Sequence, residues 1–303
     1  MLIRHLSYFV VLAREKHFAR TAEICHIAQP TLSAALRNLE EELDVKLIHR
    51  SQRFLKLTLE GERLLAWAQQ ILQDYEGLRD DLTGLRKGLR GCLRIGAIPA
   101  AMPFVSVISG HFLEAHPATS LDIRSMTSRA IQQGLDSFEL DAGLTYLHNE
   151  PLSHVRQFPL YDERYVFATR REERFAGTSS ISWADAAKER LCLLSDDMQN
   201  RRILDHVIES TGLTIRPEVV SNSFLGICSH LRQGRWSSIL PHTFSYLFGG
   251  IDDLMLIDLV NPSHSQTVGL VVSDRDPLSP MAAALVAQAL CLSIKSAFFS
   301  AAN

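Results

Sequence analysis

Gln29, Thr31, Ser33 and Arg37 fall on one side of a segment that opens at Pro30 and carries Leu32, Leu36, Leu39 and Leu43 on its other side. Amide, hydroxyl and guanidinium groups so arranged can hydrogen-bond base edges and phosphate oxygens, the face a helix needs inside a major groove. Pro30 suits a first helical turn, where its missing N–H and fixed φ cost nothing. The leucines give the same helix one apolar stripe facing the protein. Before it lie Phe18–Ala22 and the short connection Cys25-His26-Ile27-Ala28, so the pair reads as a helix-turn-helix. After it, Arg50, Arg53 and Lys56 form a basic hairpin that closes at Thr58, a residue suited to cap the next helix.

Those side chains need an element to hold them in register with a second copy. From Thr58 to about Gly88 the apolar positions are Leu64, Ala68, Ile71, Tyr75, Leu78, Leu82, Leu85 and Leu89, at alternating spacings of four and three. That is the narrow seam of a coiled coil, and about thirty residues of helix would span roughly 45 Å. The competing reading is one amphipathic helix lying on its own domain. Gly88 and Gly91 mark the boundary that follows.

At 303 residues, two or three folding units are expected. A net charge of −3 speaks against a general nucleic-acid coat, while residues 1–60 hold nine basic and seven acidic side chains, a local excess around the hairpin. Cys25, Cys92, Cys192, Cys228 and Cys291 are scattered and form no C-x-x-C pair, which points to reduced thiols in a cytoplasmic protein. No signal peptide or membrane-length apolar run is expected, so the chain reads as free of the membrane.

From Gly91 strands and helices alternate, indicating an α/β unit with largely parallel sheets. Strands are expected at 93–98, 120–126, 142–147, 165–169, 191–194, 218–221, 238–240 and 267–272. Helices are expected between most of them, with a last one from Pro280 to Phe299. No G-x-S-x-G, H-E-x-x-H, P-loop or G-x-G-x-x-G motif occurs, and His111, His116, His148, His154 and His206 lack ligand spacing. Neither catalysis nor a metal or cofactor is therefore expected.

Residues 1–61 closely resemble the DNA-binding region of LysR-type transcriptional regulators. The match runs through Leu6, Phe9, Phe18, Ala22, Gln29-Pro30, Leu32-Ser33, Leu39-Glu40, Leu43, Leu47, Arg50, Arg53, Leu57-Thr58 and Gly61. Leu93-Arg94-Ile95-Gly96, Phe112-Leu113-Glu114-Ala115-His116-Pro117 and Glu139-Leu140-Asp141-Ala142-Gly143 resemble the family's effector-binding half. Departures include Ala28 and Ala34, where the family commonly carries serine and arginine, and Thr21, Cys25 and Ile48.

The resemblance implies a multidomain chain: an all-α winged helix-turn-helix (1–58) and a long dimerisation helix (59–90), joined to a two-lobed α/β periplasmic-binding-protein-like effector domain (91–303). Lobe one would hold 91–161 and 267–303, and lobe two 162–266. The function implied is a ligand-responsive transcriptional regulator, not an enzyme. Double-stranded promoter DNA would be held by Gln29, Pro30, Thr31, Ser33, Arg37, Arg50, Arg53 and Lys56. A small anion such as a carboxylate would sit at strand carboxyl ends among Pro99, Ala100, Ala101, Thr127, Ser128, Thr145, Tyr146, Met198, Gln199 and Asn222. Other implied partners are a second copy through 59–90, a tetramer, and RNA polymerase. The alternatives are a cytoplasmic small-molecule-binding protein, or an α/β enzyme, with only a structural likeness to helix-turn-helix proteins.

Overall fold

The computed structural model describes residues 3–50, 55–248 and 253–291. The chain divides into two compact units whose main boundary falls between Leu89 and Arg90.

The first unit is built from α1 (Ile3–Glu15), α2 (Phe18–Ile24), α3 (Gln29–Leu43), the hairpin strands β1 (Ile48–Arg50) and β2 (Leu55–Leu57), and α4 (Leu59–Lys87). Leu6, Phe9 and Leu12 of α1 meet Ala22, Leu32, Leu36, Leu39, Leu47 and Ala68 in one core. Burying each such leucine contributes about 2 kcal/mol, so the apolar stripe of α3 fixes which side the helix shows to solvent. The hairpin pairs Ile48 with Leu57 and His49 with Lys56 in antiparallel register, so the unit is not purely helical.

Glu40 explains how the hairpin is attached. Its carboxylate is buried, with Oε1 accepting from the Leu47 N–H at 2.9 Å and Oε2 lying 3.3 Å from Lys46 Nζ. Thr58 completes the joint: its hydroxyl donates to the Lys46 carbonyl and accepts from the Gly61 N–H, capping α4 as its sequence position suggests. A Cβ at Gly61 would stand 2.2 Å from the Leu47 carbonyl oxygen, so only glycine fits there. Glu40→Ala should cost roughly 1.5 kcal/mol by leaving the Leu47 N–H unsatisfied, read as a lowered denaturation midpoint with an unchanged slope.

The heptad pattern of α4 serves two roles along its length. Leu64, Ala68 and Ile71 pack into the unit's own core, whereas Tyr75, Leu78 and Leu82 are exposed, as is Trp67. One regular spacing thus covers both an intramolecular contact and an uncovered apolar side.

The second unit contains β3 (Gly91–Ala97), α5 (Met102–Ala115), β4 (Thr119–Ser125), α6 (Ser128–Asp136), β5 (Ala142–Tyr146) and β6 (Val155–Arg170). It continues with β7 (Ser180–Ser182), α7 (Trp183–Ala186), β8 (Cys192–Leu194), α8 (Gln199–Ser210), β9 (Val219–Ser221) and α9 (Phe224–Gln233). It ends with β10 (Ser238–Pro241), α10 (Ser245–Phe248), β11 (Leu254–Val260), β12 (Ser265–Ser273) and α11 (Pro280–Cys291). The helix expected to reach Phe299 is described as far as Cys291; the rest lies outside the described residues.

One sheet runs β4-β3-β5-β12-β6-β11-β7, with β10 also on β6, and β8-β9 form a second. The pairs β3-β4, β3-β5, β7-β11 and β8-β9 are parallel, but β12 is antiparallel to both β5 and β6, and β6 is antiparallel to β10 and β11. The expectation of largely parallel sheets is therefore corrected to a mixed arrangement. Its cause is that the chain leaves lobe one along β6 and returns along β12, and a returning strand must run antiparallel. Both lobe boundaries expected from the resemblance, 161/162 and 266/267, fall within these two strands. Pro159 sits in β6 opposite a register irregularity at Val268/Gly269, where a missing ladder N–H is tolerated.

Candidate functional site

The exposed side of α3 presents Gln29, Pro30, Thr31 and Arg37, with Ser33 and Ala34 half-buried beside them. Ala28 is the N-cap and offers no side-chain hydrogen bond, but its carbonyl accepts from the Thr31 and Leu32 N–H groups and Pro30 has no N–H, so within the first turn of α3 Gln29 carries the one N–H left without a helical acceptor among the described residues. No hydrogen bond among the described residues occupies the side chains of Gln29, Thr31, Ser33 or Arg37. Thr31 and Ser33 therefore cap nothing in their own helix. Lys56 is exposed on β2, and Arg50 ends β1. Arg53 lies outside the described residues. A salt bridge from Arg50 to the Glu40–Glu42 cluster is the competing role for that arginine, whose side chain lies outside the described residues.

The second constellation is a narrow cleft inside the second unit, with about 10 Å³ open to the centre of a water-sized sphere. Its walls are the ends of strands and the starts of helices. Pro99 and Ala100 come from the turn after β3, Thr127 and Ser128 from the start of α6, and Tyr146 from the end of β5. Met198 and Gln199 come from the start of α8. Ile98, Leu194 and Asn200 complete the lining.

Three residues expected here stand outside it. Ala101 is fully buried in the turn before α5. Thr145 alternates with Tyr146 along β5, so its hydroxyl is buried away from the cleft and has no partner. Asn222 is exposed after β9.

The polar equipment of the cleft is neutral. The Thr127 hydroxyl accepts from the Ala130 N–H at 3.2 Å and caps α6, which leaves the Ser128 hydroxyl unengaged among the described residues. At α8 the N-cap is Met198, with no side-chain hydrogen bond, so the first N–H groups of that helix lack a local acceptor. Gln199 is buried, its Nε2 donates to the Asn149 carbonyl, and its Oε1 has no partner. Two helix starts thus aim positive dipole ends at one small volume.

A clasp bridges the rim. Arg202 of α8 makes a bidentate bond to Glu150, at 2.8 and 2.7 Å, and donates to the Asp196 and Asp197 carbonyls. The Arg202 guanidinium holds the Glu150 carboxyl below its usual range. Glu150 belongs to the turn after β5, so the pair ties that turn to helix α8.

Behind the cleft wall lies a carboxyl that the sequence reading missed. Glu163 of β6 is fully buried, its Oε1 accepts from the Tyr146 hydroxyl at 2.5 Å, and its Oε2 has no partner. Asn200 Nδ2 donates to the Tyr146 oxygen at 2.7 Å and to the Tyr165 oxygen at 3.3 Å. Burial pushes the Glu163 carboxyl up to about 8, outweighing the Tyr146 hydrogen bond that favours ionisation. Alternation would have exposed it: Tyr161, Glu163, Tyr165 and Phe167 share one face of a strand. Starting that strand at Tyr165 hid the pattern.

Among the described residues no group of His, Cys, Asp or Glu could hold a metal ion, and no helix is long and apolar enough to cross a membrane.

Residues 3–62 match the model of the bacterial regulatory helix-turn-helix protein, lysR family, and residues 86–291 match that of the LysR substrate binding domain. The chain is 28% identical over 279 residues to the DNA-binding transcriptional dual regulator OxyR of Escherichia coli (strain K12), covering 92% of this chain and 91% of that protein. It is 31% identical over 197 residues to a hydrogen peroxide-inducible genes activator of Dickeya chrysanthemi, covering 65% and 64%. Its structure is similar to full-length OxyR from Pseudomonas aeruginosa, solved as a point variant, with a TM-score of 0.77, 27% identity and coverage of 97% and 96%. CbnR complexed with its target DNA shares the fold, with a TM-score of 0.67, 19% identity and coverage of 96% and 99%.

Proposed function

The chain belongs to the LysR family of ligand-responsive, DNA-binding transcriptional regulators, and from that premise we propose that α3 reads promoter DNA while a small anion in the cleft switches the protein. Gln29 would bond a base edge, most naturally adenine N6 and N7, with Pro30 and Thr31 against a thymine methyl. Ser33, Arg37, Arg50 and Lys56 would hold phosphates and set the register, and Arg53 would enter a narrow minor groove.

The observation that carries the ligand reading is the meeting of the α6 and α8 starts around an unengaged Ser128 hydroxyl and an unpartnered buried Gln199 oxygen. Pro99, Ala100, Thr127, Tyr146 and Met198 would shape that pocket. Ala101, Thr145 and Asn222 would act at a distance from the ligand. Closing the lobes around an anion would change how paired effector domains meet, and so the spacing or bend of the bound DNA. Two copies would pair along the exposed Tyr75, Leu78 and Leu82 side of α4, with a tetramer as the larger assembly. The protein would work in the cytoplasm, with RNA polymerase as a further partner.

Several relatives are named hydrogen peroxide-inducible genes activators. A peroxide-sensing thiol must be ionised, and burial pushes both Cys192 and Cys228 up to about 11. At neutral pH such thiols are thiolate in about one part in ten thousand. Among the described residues no cysteine lines the cleft either. Both facts favour reversible binding of a ligand over oxidation of a thiol there.

A promoter footprint repeated against small organic and inorganic anions tests the reading. One anion should shift the footprint, and Ser128→Ala should weaken its action about fivefold to tenfold, the worth of one hydrogen bond. A footprint that no anion alters would overturn it.

A further inference from the structure

We propose that Glu163 sets the charge preference of the cleft by reversing one hydrogen bond, a reading that rests on the cleft being the effector site. With a proton on its carboxyl, Glu163 donates to the Tyr146 oxygen, and the Tyr146 proton turns into the cleft to meet an anion. Without that proton Tyr146 must donate to Glu163, and the cleft then faces hydroxyl lone pairs backed by a negative charge.

The geometry is already in place. Tyr146 lines the cleft, and its oxygen lies 2.5 Å from Glu163 Oε1, a separation that serves a donor on either side. Asn200 also lines the cleft and donates to the same hydroxyl, so the oxygen already accepts one bond and has a lone pair left for Glu163. No atoms are gained or lost in the reversal; the proton that leaves Glu163 at high pH goes to solvent.

The groups facing Glu163 are few. Tyr146 faces it from β5, Asn200 from α8, and Tyr161 and Tyr165 from its own strand. Across the ladder its partner is Gln266 of β12, whose amide lies 2.8 Å from His264 Nε2. Asp162 and Arg164 fall on the opposite face of β6: Asp162 accepts from the Thr267 hydroxyl, and the Arg164 N–H donates to His242. Among the described residues, none of the side chains facing Glu163 is a cation that would hold it ionised.

The carboxyl, pushed up to about 8 by burial, therefore keeps its proton at neutral pH. By linkage an anion in the cleft strengthens that hold, and anion affinity falls as pH climbs above the midpoint.

Calorimetric titration of the full-length protein with acetate, between about pH 6 and about pH 9.5, tests the idea. Wild type should lose close to tenfold in affinity per pH unit above about pH 8, and binding near pH 8 should take up a proton. Glu163→Gln, whose amide donates to Tyr146 at every pH, should bind acetate with one affinity across the range. Tyr146→Phe should be weak throughout. Infrared difference spectra of wild type against Glu163→Gln should show a protonated-carboxyl band at pH 7 that fades through pH 8.

A flat wild-type profile with acetate bound would overturn the role of Glu163 and leave the cleft reading standing, as would a variant that keeps the wild-type slope. A carboxyl band missing at pH 7 would overturn it as well. A band that titrates while acetate binds at no pH would instead bring down the anion cleft, and this proposal with it.

Discussion

Glu163→Gln should remove roughly 3 kcal/mol of pH-dependent instability from the folded protein. The sign follows from where the proton sits. The carboxyl titrates at its ordinary 4.5 in the unfolded chain and at about 8 in the fold. Below pH 4.5 both states are protonated and the group contributes no difference. As pH rises from there to about 8, the unfolded chain releases a proton that the folded chain retains, so stability declines throughout that window and levels off above it. At one pKa unit per 1.36 kcal/mol, the decline by pH 7 is roughly 3 kcal/mol. Glutamine does not titrate, so denaturant midpoints of the variant should hold where those of wild type fall. Parallel profiles for the two proteins would show that Glu163 ionises freely despite its burial.

The same carboxyl marks the limit of what could be read without coordinates. The helix-turn-helix was legible because its signals are local: a proline in a first turn, leucines at helical spacing, and a threonine three residues before Gly61. The cleft was legible for a related reason. Loops at strand carboxyl ends that lead into helices converge in an open α/β unit, so the family resemblance together with that topology placed Pro99, Ser128, Tyr146 and Gln199 near one another. What stayed hidden was long-range. The first half of β6 reads poorly as a strand because it contains Pro159, which β6 tolerates only because β12 shifts register opposite it. β11, with Leu254–Ile257 all apolar, shows no alternation and so no strand period. Glu163 resembles a surface acid between Asp162 and Arg164 until the full length of β6 sets its parity. Glu40 was equally misleading: it belongs to an acidic run, yet it is the buried member that anchors the hairpin.

On the DNA-binding side the largest effect is expected from Gln29→Ala, which should cost about 1–3 kcal/mol at one or two base pairs of the operator, or roughly fivefold to 150-fold in affinity. Gln29 is exposed in the first turn of α3, and no hydrogen bond among the described residues engages its amide. Removing it should therefore leave the melting temperature in place, so that a loss of binding reports recognition and not folding. Lys56→Ala supplies the contrast. Its charge sits exposed on the hairpin, and its loss should weaken binding to all sequences alike and lower the salt slope by about one. Measured against operator variants at several salt concentrations, the two substitutions should separate: Gln29→Ala compresses the spread between good and poor sites at constant slope, and Lys56→Ala lowers every affinity together. If Gln29→Ala kept the full spread, base reading would have to move along α3 toward the exposed Arg37 and Asn38, and the first turn would be left as a phosphate anchor.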